Sequence, residues 1–262
     1  MSDFVLNFDN TSFDELDKFA LLVRQDRNLG NPGSWFGTFR GGLYGFYARL
    51  YGIAVHYRTV HAWAPSMRSP TETEYHLATI FFNMDSAIEC LSFALNALGY
   101  AASPGFFWDV SNARALRQIS PKDILGDPSS NPSVLPVSGY GTVFPQLQSL
   151  WQSERSLLDR IVEQHDVSKH RQTIFVGGRA RSDPPIGFYE SLGIPDTPKI
   201  RAQFWPMAEI KLQNEPRLPR AARMPQSAES FVYLETVSEE FVQFINRTGE
   251  AALKDAQAKI VI

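Results

Sequence analysis

Apolar residues recur at helical spacing in several long segments of the chain, and this pattern predicts a mainly α-helical protein. The strongest segment covers about residues 72–99 and carries one apolar stripe, formed by Leu77, Ile80, Phe81, Met84, Ala87, Ile88, Leu91, Leu95 and Leu98. Ser69, Pro70 and Glu72 have the spacing of a helix start, and Gly99 is a natural helix stop. We therefore predict that this helix forms the centre of the core.

Two further long helices are predicted, over about residues 144–166 and 227–251. The apolar residues of the first are Leu147, Leu150, Leu157, Leu158 and Ile161, and those of the second are Phe231, Leu234, Val237, Phe241, Phe244 and Ile245. A shorter helix should begin near Ser12, because Ser12 and Glu15 have the spacing of a capping box. Together these segments predict a helical bundle with long antiparallel helices.

Phe82 and Phe93 lie off the apolar stripe of the 72–99 helix and nearly superpose in projection. They predict a second buried contact for this helix. The contact is either another helix of the same chain or a partner subunit, and the first interpretation is the simpler one.

An aromatic-rich segment over residues 35–63 does not resolve into one type of secondary structure. Residues 44–51 place tyrosines at helical intervals, whereas residues 53–57 alternate like a strand. The glycines of residues 41–45 do not form a dinucleotide-binding fingerprint, and we interpret them as turn and close-packing positions. We predict a mixed helix and strand structure here.

The remaining segments complete a single domain over residues 1–262, with an aromatic-rich N-terminal extension and a loop or β insertion at about residues 172–224. Residues 120–138 are rich in proline, serine and asparagine and predict a surface connector. Short apolar runs at about 173–176 and 207–212 predict a small β insertion.

Composition excludes several classes of function. The chain has 25 basic and 28 acidic residues and a net charge of -3, so no global field attracts nucleic acid or membranes. One cysteine, Cys90, cannot form an internal disulfide, and the N-terminus lacks the pattern of a secretory signal. We found no phosphate-loop, zinc-protease or serine-hydrolase motif. We expect a cytoplasmic protein with no metal, no cofactor and no membrane association.

Charged residues of both signs gather at the end of the second long helix. Helical projection places Arg155, Asp166, Lys169 and His170 on one face, with Arg171 directly after them. These five residues are candidate binding residues. The alternative is an ion-paired surface exposed to solvent.

Arg160 and His165 are the candidate catalytic residues of the same segment. They lie about 140° apart on an ideal helix, so they reach one substrate only if the helix ends or distorts, or across a dimer. His165 also projects within about 40° of Ile161, on the apolar side, so a buried structural histidine is an alternative for it.

Two motifs resemble the HEPN superfamily of helical bundles. They are the segment Asn83-Met84-Asp85-Ser86-Ala87-Ile88-Glu89 leading to Leu95-Asn96-Ala97-Leu98-Gly99, and Arg160-x-x-x-x-His165 followed by Asp166-x-x-Lys169-His170-Arg171. The resemblance implies a bundle that often dimerises. Many members are metal-independent ribonucleases with Asn, Asp or His after the arginine, where this chain has Ile161, and others are non-catalytic binding modules.

Two functions therefore stay open. One is a non-catalytic binding or interaction module for nucleotide, RNA or protein, in which the aromatic segment stacks on bases or belongs to the core. The other is a metal-independent endoribonuclease, in which Arg160 holds the scissile phosphate and His165 transfers a proton. A homodimer is expected under both.

Overall fold

The computed structural model describes residues 6–26, 32–62, 70–127, 139–170 and 229–260. Its helices are α1 (Thr11–Asp26), α2 (Pro32–Ala62), α3 (Pro70–Ala102), α4 (Ala113–Leu116), α5 (Pro121–Leu125), α6 (Gly139–Val143), α7 (Pro145–Ser153), α8 (Arg155–His170) and α9 (Glu229–Lys259). A 3-10 turn at Pro104–Phe106 follows α3. The described ranges contain no strand, so the prediction of a mainly helical bundle is confirmed.

Helix α3 lies at the centre of the core, as its apolar stripe predicts. Every residue of the predicted stripe is buried. The helix does not stop at Gly99 but continues to Ala102. Gly99 is required for packing instead, because a Cβ atom there would lie 2.3 Å from Cε1 of Phe107. The prediction of a helix stop was therefore wrong.

Among the described helices, α3 alone has the length and composition that a membrane span requires. Its best window, within Tyr75–Ala102, has a mean hydropathy of 1.2, and 61% of that window is buried inside the protein. A helix at the centre of a folded core has the same properties.

Helix α2 is continuous over 31 residues, so the predicted strand character of residues 53–57 was wrong. Ile53 and Tyr57 are both buried because residues four apart share one face of a helix. Helix α2 runs antiparallel to α3 and packs along its length. Gly42 is a close-packing position, since a Cβ atom there would lie 2.8 Å from the carbonyl oxygen of Cys90.

The predicted helix over residues 144–166 is two helices, α7 and α8, separated at Glu154. Glu154 has φ -98° and ψ 12°, outside the helical range. Helix α7 packs mainly against α9, whereas α8 packs mainly against α3. The break therefore allows α7 and α8, which are adjacent in the sequence, to pack against two different helices.

Helix α9 continues beyond the predicted end at residue 251, because Ala252, Ala256 and Ile260 extend its buried stripe. Its buried Asp255 accepts hydrogen bonds from the backbone N–H groups of Gln146 (2.8 Å) and Leu147 (2.9 Å). A residue of the last helix therefore caps the start of α7.

Helix α1 packs against α9 and begins at Thr11, which confirms the predicted start near Ser12. The predicted capping box was wrong: Asp9 Oδ1 accepts from the Thr11 N–H at 3.0 Å, and the Glu15 carboxylate accepts from Lys18 Nζ at 2.7 Å. Because α1 begins one residue earlier, Ser12 lies inside the first turn and not at the N-cap position that a capping box requires.

The predicted surface connector over residues 120–138 begins with α5, a helix that contributes two residues to the core. Ile124 and Leu125 of α5 are both buried, because this helix turns its apolar side inward. Residues 128–138 and the predicted β segments at 173–176 and 207–212 lie outside the described residues. The β insertion stays a prediction.

Candidate functional site

His165 lies on α8 and forms a short hydrogen bond with Asp85 of α3. The distance from His165 Nδ1 to Asp85 Oδ2 is 2.6 Å. An ionised carboxylate can only accept, so Nδ1 carries the proton. Only 12% of the His165 side chain and 13% of the Asp85 side chain are exposed. The pair therefore joins α8 to α3 in a largely covered position.

Three further residues surround this pair and complete what we call the His165 cluster: Arg49, Phe82, Asp85, Ser86 and His165. The Phe82 ring makes an edge contact with the His165 ring, with the centroids 5.4 Å apart. The Arg49 guanidinium lies over Phe82, 5.4 Å from its centroid, and Arg49 Nε donates to Ser86 Oγ at 3.0 Å. The cluster therefore draws on α2, α3 and α8.

Arg49, Asp85 and Ser86 could not be recognised from the sequence as members of this cluster. One signal was present, since Phe82 was predicted to make a second contact outside the apolar stripe of α3. The structure gives Phe82 such a contact within the same chain, against His165 of α8. Phe82 is nevertheless 42% exposed, so the contact covers only part of the ring.

Arg160 points to a different helix from the one that His165 contacts. Its guanidinium pairs with the Glu240 carboxylate of α9, and its Nε donates to the Ser156 carbonyl at 3.3 Å. Helix α8 is continuous from Arg155 to His170, so no helix end or break lies between Arg160 and His165. Within one chain, the structure does not bring the two candidate catalytic residues to one point.

The predicted binding face is only partly within the described side chains. Arg155 makes two hydrogen bonds to Asp127, at 2.9 and 2.7 Å, and this contact lowers the pKa of the Asp127 carboxyl. Asp166 is half-buried on α8. Lys169 and His170 lie in the last turn of α8, and their side chains and Arg171 lie outside the described part. Arg155 thus holds α8 to the segment after α5.

The aromatic-rich segment divides between the core and the surface. Trp35, Phe39, Phe46 and Tyr57 are buried, whereas Tyr44 is 53% exposed and Tyr51 is 70% exposed. The aromatic residues therefore belong mostly to the core of the bundle.

The two exposed tyrosines belong to a stripe on the outer face of α2. Its members are spaced alternately four and three residues apart: Gly37, Gly41, Tyr44, Ala48, Tyr51, Val55 and Arg58. All are exposed except Val55, which is half-buried. Alternating spacing of this kind is typical of a helix face that contacts another helix. We call these residues the outer α2 stripe.

In the described part of the chain, no group of three or more His, Cys, Asp or Glu side chains is placed to hold a metal ion. Comparison of the chain with family models, curated proteins and solved structures gave no match.

Proposed function

We propose that this chain is a non-catalytic HEPN-like interaction module that forms a homodimer through the outer α2 stripe. The observation that carries the proposal is the exposure of this stripe along a helix of 31 residues. The similarity to the HEPN superfamily supports it, because bundles of that superfamily often dimerise.

The contacts of Arg160 and His165 favour a non-catalytic role. Arg160 is paired with Glu240, and His165 is hydrogen-bonded to Asp85. To act together on one phosphate, both side chains would have to leave these carboxylates. Breaking the largely buried hydrogen bond between His165 and Asp85 costs about 1.5–3 kcal/mol, and breaking the more exposed Arg160–Glu240 pair costs up to about 1 kcal/mol.

The outer α2 stripe is complementary to a second copy of itself. A twofold axis at Ala48 would place Tyr44 of one copy near Tyr51 of the other, and Gly41 opposite Val55. The small residues at the start of the stripe in one copy would then pack against the larger side chains at the end of the stripe in the other copy. A twofold interface requires such self-complementarity, because each surface contacts an identical one.

The charges beside the stripe favour the same antiparallel arrangement. Asp14 and Asp17 of α1 lie next to the first half of the stripe, since Tyr47 donates to Asp14 (2.8 Å) and Arg40 donates to Asp17 (3.0 Å). Arg58 is exposed at the other end. Two antiparallel copies bring Arg58 of each copy toward these acidic residues of the other, which opposite charges stabilise.

The test is the oligomeric state in solution at micromolar concentration, measured by light scattering and sedimentation. We expect a dimer for the wild type. Ala48→Glu should give a monomer, because two like charges then meet at the axis. Ala258→Glu is the matched control, since Ala258 is also exposed on a long helix but lies far along the chain, on α9. A monomeric wild type rejects the proposed dimer.

A cysteine at the axis tests the geometry directly. Ala48→Cys should form a disulfide-linked dimer on mild oxidation, because the axis brings position 48 of both copies together. Ala258→Cys should stay unlinked, and both variants keep the natural Cys90. Equal cross-linking of the two variants contradicts the antiparallel stripe.

Two further measurements separate this function from the alternatives. Single-stranded RNA that binds the monomer and loses affinity in Tyr44→Ala and Tyr51→Ala would show a stacking surface instead of a dimer interface. Cleavage of mixed RNA in EDTA by the wild type, abolished in His165→Ala, would show that the protein is a ribonuclease. We expect neither result.

A further inference from the structure

Two histidines meet where the last turns of α2 lie against the first turns of α3. His56 of α2 and His76 of α3 are both half-buried, and their Nδ1 atoms are 2.7 Å apart. The ring of Tyr75 lies beside both imidazoles, 6.0 Å from His56 and 5.3 Å from His76 between centroids. Tyr75 is 61% exposed, so this pair is located near the surface.

At this distance one Nδ1 donates and the other accepts, so at least one of the two rings presents a lone pair to its neighbour. Burial, and secondly the neighbouring His76, lower the pKa of His56. A neutral imidazole nitrogen with a free lone pair is the form that binds a metal ion.

We propose that His56 and His76 form a two-imidazole site for a divalent transition metal ion of the Zn²⁺, Ni²⁺ and Cu²⁺ group. Water molecules would complete the coordination. This inference does not depend on the proposed dimer, because neither His56 nor His76 belongs to the outer α2 stripe.

The geometry needs only a small change to receive such an ion. Zinc binds imidazole nitrogen at about 2.0–2.1 Å, so two nitrogens at tetrahedral angles lie about 3.3 Å apart. The two Nδ1 atoms would have to separate by about 0.6 Å from the 2.7 Å that the structure shows, which rotation of the side chains permits. The ring whose Nδ1 donates would release that proton to water and bind another proton from water at Nε2. The charge of this ring would therefore not change.

The ligand type selects the class of metal. Imidazole suits Zn²⁺, Ni²⁺ and Cu²⁺, whereas Mg²⁺ and Ca²⁺ prefer oxygen ligands. An ion held by both histidines would join α2 to α3 across the end of the hairpin. Metal binding to the folded state would then raise the thermal stability of the protein with the logarithm of the free ion concentration, once that concentration exceeds the dissociation constant.

The first experiment uses the wild-type chain after treatment with EDTA and dialysis. Calorimetric titration with Zn²⁺ or Ni²⁺ alone should give one ion per chain and an increase in Tm, whereas Mg²⁺ should give neither. Equimolar Cu²⁺ should give an electron paramagnetic resonance spectrum with coupling to two nitrogen ligands. Coupling to fewer nitrogens overturns the proposal without any need for a variant.

The second experiment removes each ligand. In His56→Gln and in His76→Gln the affinity for Zn²⁺ should fall by at least about tenfold, because each change removes one of two protein ligands. His61→Gln is the matched control, since His61 lies on the same helix and faces Glu235 of α9, 3.8 Å away. Circular dichroism checks that each variant is folded. Equal Zn²⁺ affinity in all three variants, or no binding by the wild type at millimolar ion, refutes the site.

Discussion

Replacement of Gly99 by alanine tests the packing of the core most directly. The Phe107 ring lies edge-on between two glycines, Gly99 of α3 and Gly139 of α6. A Cβ atom at Gly99 would lie 2.3 Å from Cε1, and one at Gly139 would lie 2.2 Å from Cε2. Ordinary contacts of this kind begin at 3.4 Å, so the ring would have to move by about 1 Å. It cannot move away from Gly99 without approaching Gly139.

The magnitude follows from two opposing effects. Overpacking a core costs about 1–3 kcal/mol. Alanine in place of glycine inside a helix returns up to about 1 kcal/mol. Because Gly139 blocks the movement of the ring, the cost should lie near the upper end, and we expect Gly99→Ala to lower the free energy of unfolding by about 2 kcal/mol. For a protein of this size that corresponds to about 4–8 °C in Tm.

Urea denaturation followed by circular dichroism measures this change. Gly105→Ala is the matched control, because Gly105 lies two residues before Phe107 and a Cβ atom there meets no atom within 4 Å. The double variant Gly99→Ala with Phe107→Ala should be more stable than the sum of the two single changes predicts, since the clash is then absent. If Gly99→Ala is as stable as Gly105→Ala, the proposed packing of Phe107 is wrong.

The remaining predictions concern Tyr140, Asp255 and Asp127, which are buried or paired polar residues. Tyr140 is fully buried, and its hydroxyl has no hydrogen-bond partner among the described residues. Burial also raises the pKa of this hydroxyl. Tyr140→Phe should therefore stabilise the protein by about 1 kcal/mol in the same urea assay. Tyr47→Phe, which removes a real hydrogen bond, should lower stability instead. Asp255→Ala should cost about 2 kcal/mol because two backbone N–H groups lose their acceptor. Burial raises the pKa of Asp255. The stability of the wild type relative to Asp255→Asn should therefore fall as pH rises from about 4 through the folded pKa of Asp255. A wild type that becomes more stable than Asp255→Asn as pH rises would contradict this. Arg155 lowers the pKa of Asp127. The ion pair between them therefore stabilises the protein above about pH 4, and this stabilisation is lost as pH falls through the folded pKa of Asp127. The Tm values of the wild type and Arg155→Ala should differ at pH 7 and converge by about pH 2.

The helices could be predicted from the sequence where apolar residues recur at helical spacing over several turns. The stripe of α3 is the clearest case, and every residue of it is buried. Helix α2 could not be predicted in this way, because buried aromatic residues, close-packing glycines and exposed tyrosines occupy different faces of one helix. The break at Glu154 was missed as well, since it depends on α7 and α8 packing against different helices.

The candidate site was less predictable than the fold for a similar reason. Helical projection identified Arg160 and His165 as residues of interest, yet their partners, Glu240 and Asp85, lie far away in the sequence. No local spacing encodes such a pairing. It arises only when α8 is placed between α3 and α9, and tertiary contacts fix that placement.

The hydrogen bonds of Asp255 have a consequence for the order in which the chain folds during synthesis. The amide groups that begin α7 leave the ribosome more than a hundred residues before their acceptor does, since the separation between Leu147 and Asp255 is 108 residues. Until then water must satisfy those amides, and α7 is a short helix without a cap. A stalled or shortened translation product that lacks the last turns of α9 should therefore lose structure first at α7, in the middle of the chain. A protease would then cleave it there.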